Sequence, residues 1–155
     1  MRSQQHTYGI RAAAPAETGA WARMRHALWP DESLEDLAIE ADAFFSGDVR
    51  HLQAVFLAHH DSGEAIGFVE MNIRPYAEGC SSDRVAFLEG WFVAPEHRGR
   101  GVGAALIRSC EDWARSVGCT EFASDALADN RPGQAAHLGV GFTEVEVIRC
   151  FRKDL

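Results

Sequence analysis

The sequence predicts an α/β fold of the α+β kind, a sandwich with a mixed, mostly antiparallel central sheet flanked by about four helices. Three observations carry that expectation. Strand-like runs at residues 52–59, 65–73 and 85–93 follow one another with no helix between them, which demands largely antiparallel pairing. A loop of glycines and arginines then joins the third run to a strongly amphipathic helix. From there strand and helix patterns alternate to the end of the chain.

The elements can be justified in order. Residues 7–11 alternate weakly and read as a short first strand. Pro15 suits the first turn of a helix that carries Trp21, Met24 and Leu28 at helical spacing and closes at Trp29-Pro30. Ser33 is placed to cap a second helix, whose face is Leu34, Leu37, Ala38, Ala41, Phe44 and Phe45 and whose stop is Gly47. Between Asp31 and Asp48 lie seven carboxylates and no lysine or arginine, a solvated helix face or an acidic wall beside a site for cations. Asp61-Ser62-Gly63 turns the hairpin between the first two runs. His59-His60-Asp61 is not a plausible metal chelate, because adjacent strand residues point to opposite faces. Residues 74–83, with Pro75, Tyr76 and Gly79, form a loop. A strand at 121–126, a short helix opened by Asp129-Asn130-Arg131-Pro132, and a long last strand at 142–151 complete the chain.

A length of 155 residues fits one domain, spanning 1–155. The formal charge of −8, from 23 acidic and 15 basic residues, excludes a basic nucleic-acid surface and suits a cationic ligand, although it also serves solubility. Neither a leader pattern nor an eighteen-residue apolar run is present, so a cytoplasmic protein with no membrane partner is expected. Cysteines at 80, 110, 119 and 150 lack Cys-x-x-Cys spacing, and buried free thiols are the better reading. No metal is expected.

The most informative stretch is residues 85–116. Its strand, Val85 to Val93, stops before Pro95, and Arg98-Gly99-Arg100-Gly101-Val102-Gly103-Ala104 leads into a helix with Val102, Leu106, Cys110, Trp113 and Val117 on one face. A helix start has backbone N–H groups without partners, and glycines let a phosphate approach them. The spacing Gly99-x-Gly101-x-x-Ala104 also fits a dinucleotide-binding fingerprint. Against that reading, the motif lies mid-chain after three consecutive strands, arginines flank it, and too little chain remains for a second nucleotide-binding half. No Gly-Lys-Ser/Thr follows, as a phosphate-loop NTPase requires. Glu89 interrupts an otherwise apolar strand between Phe87 and Trp91, on what strict alternation makes one face. Asp125 ends a strand before a loop.

Arg98-Gly99-Arg100-Gly101-Val102-Gly103, with Asn130 and Gly141-Phe142 downstream, resembles the acetyl-CoA signature of the GNAT superfamily of N-acetyltransferases. A narrower likeness, to aminoglycoside 6′-N-acetyltransferases, is carried by Leu28-Trp29-Pro30, Phe87-Leu88-Glu89-Gly90, Phe92-Val93, Ala123-Ser124-Asp125, Gln134 and His137. The resemblance implies two splayed central strands with the thioester arm of acetyl-CoA between them. It implies that backbone N–H groups at Phe92 and Val93 meet the pantetheine and the thioester carbonyl, that residues 98–104 hold the pyrophosphate, and that Asn130 and His137 help place the cofactor. Trp29, Tyr76, Glu89 and Asp125 would bind a polycationic aminoglycoside, with Glu89 and Asp125 as the catalytic carboxylates that hold the amine and route its proton through water or directly. Relatives of this type are commonly homodimers, and the last strand is a candidate for exchange between copies. Many members place a tyrosine acid four residues before the Gly-Phe pair, where this chain has His137. Acetylation of a polyamine, an amino acid or a protein N-terminus is the alternative within the superfamily, and a non-catalytic acyl-CoA-binding module is the alternative outside catalysis.

Overall fold

A computed structural model describes residues 7–47 and 51–155, so Asp48 of the acidic run lies outside the described residues. The chain runs β1 (Tyr8–Ala12), a 3-10 turn at Pro15–Glu17, α1 (Thr18–Leu28), α2 (Leu34–Phe45), β2 (Ala54–His60), β3 (Ala65–Arg74), β4 (Val85–Val93), α3 (Val102–Ser116), β5 (Phe122–Ser124) and α4 (Arg131–Gly139). The five strands lie in the order β1-β2-β3-β4-β5. The first four pair antiparallel, and only β5 joins β4 in parallel after the α3 crossover.

Strand alternation puts a different core on each side of the sheet. On one side Ile66, Val69, Met71, Ala86 and Leu88 pack against Val102, Leu106, Ile107 and Cys110 of α3. On the other, Val55, Leu57, Phe68 and Phe92 meet Trp21, Met24 and Ala41 of the α1–α2 hairpin. Each fully buried Leu or Ile contributes about 1.5–3 kcal/mol relative to exposure, so the apolar stripe on α3 suffices to seat it. Burial pushes the Cys110 thiol up. All four cysteines are free; Cys110 and Cys119 are buried, Cys80 is half-buried, and Cys150 is exposed rather than buried.

The hairpin is held by a buried polar cluster as well as by packing. Ser33 Oγ accepts the Asp36 N–H at 3.0 Å and starts α2, as the capping pattern implied. Arg25, on the inner face of α1, donates through Nε to Glu70 of β3 at 2.6 Å and through Nη1 to the Leu37 carbonyl at 3.2 Å and to Glu40 at 2.9 Å. The Trp21 indole N–H donates to the same Glu70 oxygen at 2.9 Å. Burial pushes the Glu70 carboxyl up, against the pull of Arg25 and Trp21. The pair of adjacent histidines behaves as strand alternation requires. His59 contacts Glu17 under α1, whereas the His60 ring lies 5.7 Å from that of His97.

Three expectations need correction. Trp91 does not share a face with Phe87 and Glu89. The β3–β4 register slips between Glu70 and Met71, which pair with Gly90 and Leu88 and leave Glu89 as a bulge residue. Past the bulge the alternation inverts, so Trp91 joins the α3 side. The fifth strand is three residues long, not six. The expected last strand over 142–151 is not formed. Residues 143–155 are exposed, with Val145, Val147, Ile148 and Phe151 more than half accessible. A strand exists only against a partner, and none of the described strands pairs with this segment.

Replacing Arg25 by methionine strands the Glu70 carboxylate in the interior. Urea denaturation should report a loss of about 3–5 kcal/mol, and Arg25→Met with Glu70→Leu together should recover a large part of it.

Candidate active site

The polar cleft between the α1–α2 hairpin and the sheet follows directly from the bulge. Glu89 and Gly90 both face the hairpin. Gly90 is buried beneath Trp29 and forms its seat, where an added Cβ would lie 2.9 Å from Cη2 of Trp29 and 3.3 Å from the Phe68 ring. Trp29, at the end of α1, is thereby laid against the strand, with the Arg25 guanidinium 5.3 Å from its ring centre. The cleft has a volume of about 570 Å³ and is lined by Arg25, Trp29, Glu32, Glu40, Ala43, Phe44, His51, Leu52, Glu70, Asn72, Arg74 and Glu89. Four carboxylates stand there against two guanidiniums, so the cleft favours cations. Glu32 and Glu40 are the members of the acidic run that reach it.

Glu89 is not free in this cleft. Arg74 grips both its oxygens, through Nε at 2.9 Å and Nη2 at 2.7 Å, and the Asn72 amide lies at 3.4 Å. The Arg74 guanidinium also stacks 3.6 Å over the ring of Phe87. Its pKa is pushed up, mainly by the hydrogen bond to Glu89, with further contributions from Asp125 and Glu78. Asp125 is exposed immediately after β5 and contributes to the field on this same cation. Tyr76 stands 66% exposed on the loop beyond β3 and does not line the cleft. Trp29 and Glu89 therefore share the cleft, whereas Asp125 and Tyr76 lie outside its lining.

Beyond the bulge the same strand opens on its other edge. β5 pairs with β4 only at Ala86, Phe87 and Leu88, so β4 from Glu89 to Val93 has no neighbour on that side. Ala94 N–H donates to Ile66 of β3 at 2.8 Å. By alternation the Phe92 N–H also faces β3, and the Val93 N–H faces the gap. At the mouth of the gap Gly99 and Gly101 adopt left-handed φ of 73° and 85°, and α3 begins with its first bond from Ala105 N–H to Gly101 O at 3.0 Å. Arg98 is partly committed. Its Nε donates to Val93 O at 2.8 Å and ties the loop to the strand end. Arg100 is exposed, and no acidic residue sits in the first turn of α3.

The wall opposite is built by β5 and α4. Asn130 caps α4, its Oδ1 accepting the Gly133 N–H at 3.1 Å, so only its amide nitrogen is left to reach a ligand. His137 Nδ1 lies 2.6 Å from the Gly133 carbonyl, which can only accept, so this nitrogen carries the proton. Its Nε2 then accepts from the Ser124 hydroxyl at 2.7 Å. The ring meets Trp91 edge-on at 5.4 Å. Trp91 Nε1 is buried with no hydrogen-bond partner and packs on Gly103, where a Cβ would lie 3.3 Å from its ring. Among the described residues no group of three or more His, Cys, Asp or Glu is placed to hold a metal ion.

A bare helix start and a strand edge without a described partner thus flank a gap on one side of β4, with an acidic cleft on the other. A model of the acetyltransferase (GNAT) family matches residues 21–142. The chain belongs to the GNAT acetyltransferase family. Its sheet and helices match that fold. An aminoglycoside N(6′)-acetyltransferase type 1 of Klebsiella aerogenes is 49% identical over 94% of this chain and 96% of its own length. One of the same name from Stenotrophomonas maltophilia is 44% identical over 94% and 93%. Among solved structures, AAC(6′)-Iy in complex with the bisubstrate analogue CoA-S-monomethyl-acetylneamine superposes with a TM-score of 0.87 at 36% identity, covering 96% of this chain and 99% of that one. AAC(6′)-Ih from Acinetobacter baumannii gives 0.84 at 34% identity over the same shares of the two chains.

Reading the sequence missed Arg74, Asn72, Glu70 and Arg25. Glu70 carried the signal that singled out Glu89, a carboxylate in the middle of an apolar strand, and the same rule would have found it. Arg74 lay at a strand end, where an arginine draws no notice.

Gly90→Ala forces the Trp29 ring off the strand or the bulge out of register. A loss of about 1–3 kcal/mol in chemical denaturation is expected, and unchanged stability would show that the ring moves aside freely.

Proposed function

We propose that this protein is an acetyl-CoA-dependent N-acetyltransferase that acetylates the 6′-amine of a polycationic aminoglycoside, and that the whole chain, 1–155, works as one domain. The observation that carries the reading is the division of β4 by its bulge. Glu89 faces an acidic cleft, and three to four residues later the strand's free edge faces the gap at the start of α3. Amine and thioester are thus served from one short segment.

The residues around the gap fit acetyl-CoA, which supplies the activated acetyl group. The glycines before α3 bring backbone within reach of an anion, and the β4 edge beside them has no described strand partner. In this reading the Val93 N–H, with Phe92 beside it, holds the thioester arm and polarises its carbonyl. Arg98, Gly99, Arg100, Gly101, Val102, Gly103 and Ala104 cradle the pyrophosphate, and the Asn130 amide and His137 border the arm from the α4 side.

On the cleft side the amine arrives as an ammonium, since an alkylamine of pKa ~10 is almost wholly protonated at neutral pH. Glu89 and Asp125 hold it and direct its proton to a water. Carboxylates are weak bases but strong hydrogen-bond acceptors. Trp29 walls the sugar, and Tyr76 closes over it from the loop. Once the proton has left, the amine attacks the carbonyl carbon held by the β4 edge, the new C–N bond forms, and the thiolate leaves. With a thiol pKa around ~8.5 the leaving group needs little help. Ser124, hydrogen-bonded to His137, is the hydroxyl placed on the β5 side of the gap.

We further infer that two copies associate through residues 142–151. This segment carries Phe142, Val145, Val147, Ile148 and Phe151 outside the sheet, and among the described strands β5 ends the sheet with one edge open. Four free cysteines suit a reducing cytoplasm.

A thiol-release assay with kanamycin, tobramycin, spermidine and peptides tests the substrate. Turnover of the aminoglycosides is expected, and turnover of a peptide or polyamine alone would overturn the reading. Glu89→Gln with Asp125→Asn should cut turnover by about 10²–10⁴ while acetyl-CoA affinity, read by calorimetry, is retained. Removing residues 143–155 should convert a dimer to a monomer in size-exclusion chromatography with light scattering. A monomeric full-length protein would refute the exchange.

A further inference from the structure

The free protein holds a cation where its substrate's ammonium is to go. Arg74 satisfies both Glu89 oxygens, stacks on Phe87 and feels Asp125 and Glu78. The Glu89 carboxylate, which would recognise an incoming ammonium at this end of the cleft, is thus already held by a guanidinium. Side chains of Arg74 and Glu89 remain 38% and 22% exposed, so the pair is accessible to a competitor.

We infer that Arg74 is a specificity-determining residue, a resident cation that exchanges with the substrate and thereby selects polycations over monoamines. The inference rests on the acetyltransferase reading above and deepens it. Consider what each kind of amine gains. A monoamine that reaches Glu89 trades one charge-assisted contact for another and forfeits the two-pronged arginine grip and its ring stacking, so its net gain is small. A polycation can also anchor on Glu32, which lines the same cleft, so its binding depends only in part on that exchange. Neither Glu32 nor Asp125 loses a resident ion pair when it takes one, among the ion pairs described.

The displaced guanidinium has somewhere to go. Glu78 lies on the loop just beyond β3, and its field already contributes to holding Arg74 charged. When substrate occupies Glu89 and Asp125, the arginine swings from the cleft floor toward Glu78. Discrimination is then built by penalising the wrong ligand, in addition to attracting the right one.

The test compares kanamycin with 6-amino-6-deoxyglucose, a sugar carrying one amine, as substrates of the full-length wild type, Arg74→Gln and Arg74→Lys. Arg74→Gln removes the resident charge. Its KM for the monoamine should fall about tenfold, its KM for kanamycin should fall by less than about threefold, and the ratio of the two kcat/KM values should narrow accordingly. Arg74→Lys keeps the charge but loses the fork and the stacking, and should lie between the two. A rise in both KM values in Arg74→Gln would mean that Arg74 positions Glu89 for substrate and would overturn the inference, as would an unchanged ratio. If Arg74→Gln does not fold, the ratio in Arg74→Lys decides alone. Wild-type turnover of kanamycin with an unmoved ratio defeats only this inference, whereas no wild-type turnover of either sugar defeats the functional reading with it.

Discussion

The structure depends on one buried contact, the Arg25 guanidinium against the Glu70 carboxylate. It joins the helical hairpin to the sheet at the point where both sides are otherwise apolar. Removing Arg25 leaves the buried Glu70 carboxylate with only the neutral Trp21 N–H, so the two positions are tied to each other more firmly than packing alone would tie them. The same guanidinium reaches the Leu37 carbonyl and Glu40, which sets the second helix of the hairpin as well as the first. It also lies over Trp29 and against Trp21. The height of the hairpin above the sheet, and hence the cleft's existence, follows from this contact.

Within that frame the bulge at Glu89 supplies the asymmetry that chemistry needs. A regular strand would have turned Glu89 and Trp91 the same way and put the polar cleft and the indole in competition for one face. One extra residue separates them. Because β5 leaves β4 after three residue pairs, the strand's outer edge becomes available over the segment whose inner face has just passed the cleft. The two half-sites are therefore adjacent along the backbone but lie on different sides of it.

Much of this was legible in the sequence, for reasons that can be located. The α3 stripe is long and regular, so its start, end and buried face were readable, and Ser33 was recognisable as a cap because capping is local. The family likeness rested on the glycine loop and on residues spread along the chain. Other features were out of reach because they depend on pairing. The register slip that turns Trp91 away from Glu89 leaves no trace in β4 itself, since it arises from how β3 sits beside it. The segment at 142–151 was read as a strand from its apolar residues, but composition does not supply the neighbour that a strand needs, and no described strand pairs with it. Arg74 was missed for a similar reason, since its meaning comes from Glu89 across the strand pair and from Phe87 beneath it.

Gly90 has an evolutionary consequence. Backbone alone lies under Trp29 there, so no side chain can be trimmed, and any addition meets the ring at once. Divergence by resettling that ring is thus closed off from below. It is left to the cleft's other lining positions, among them Glu32, Glu40, Ala43 and Arg74, where a change alters shape and charge without unseating Trp29. Change in the lining and preservation of the wall that carries it are assigned to different residues of the chain.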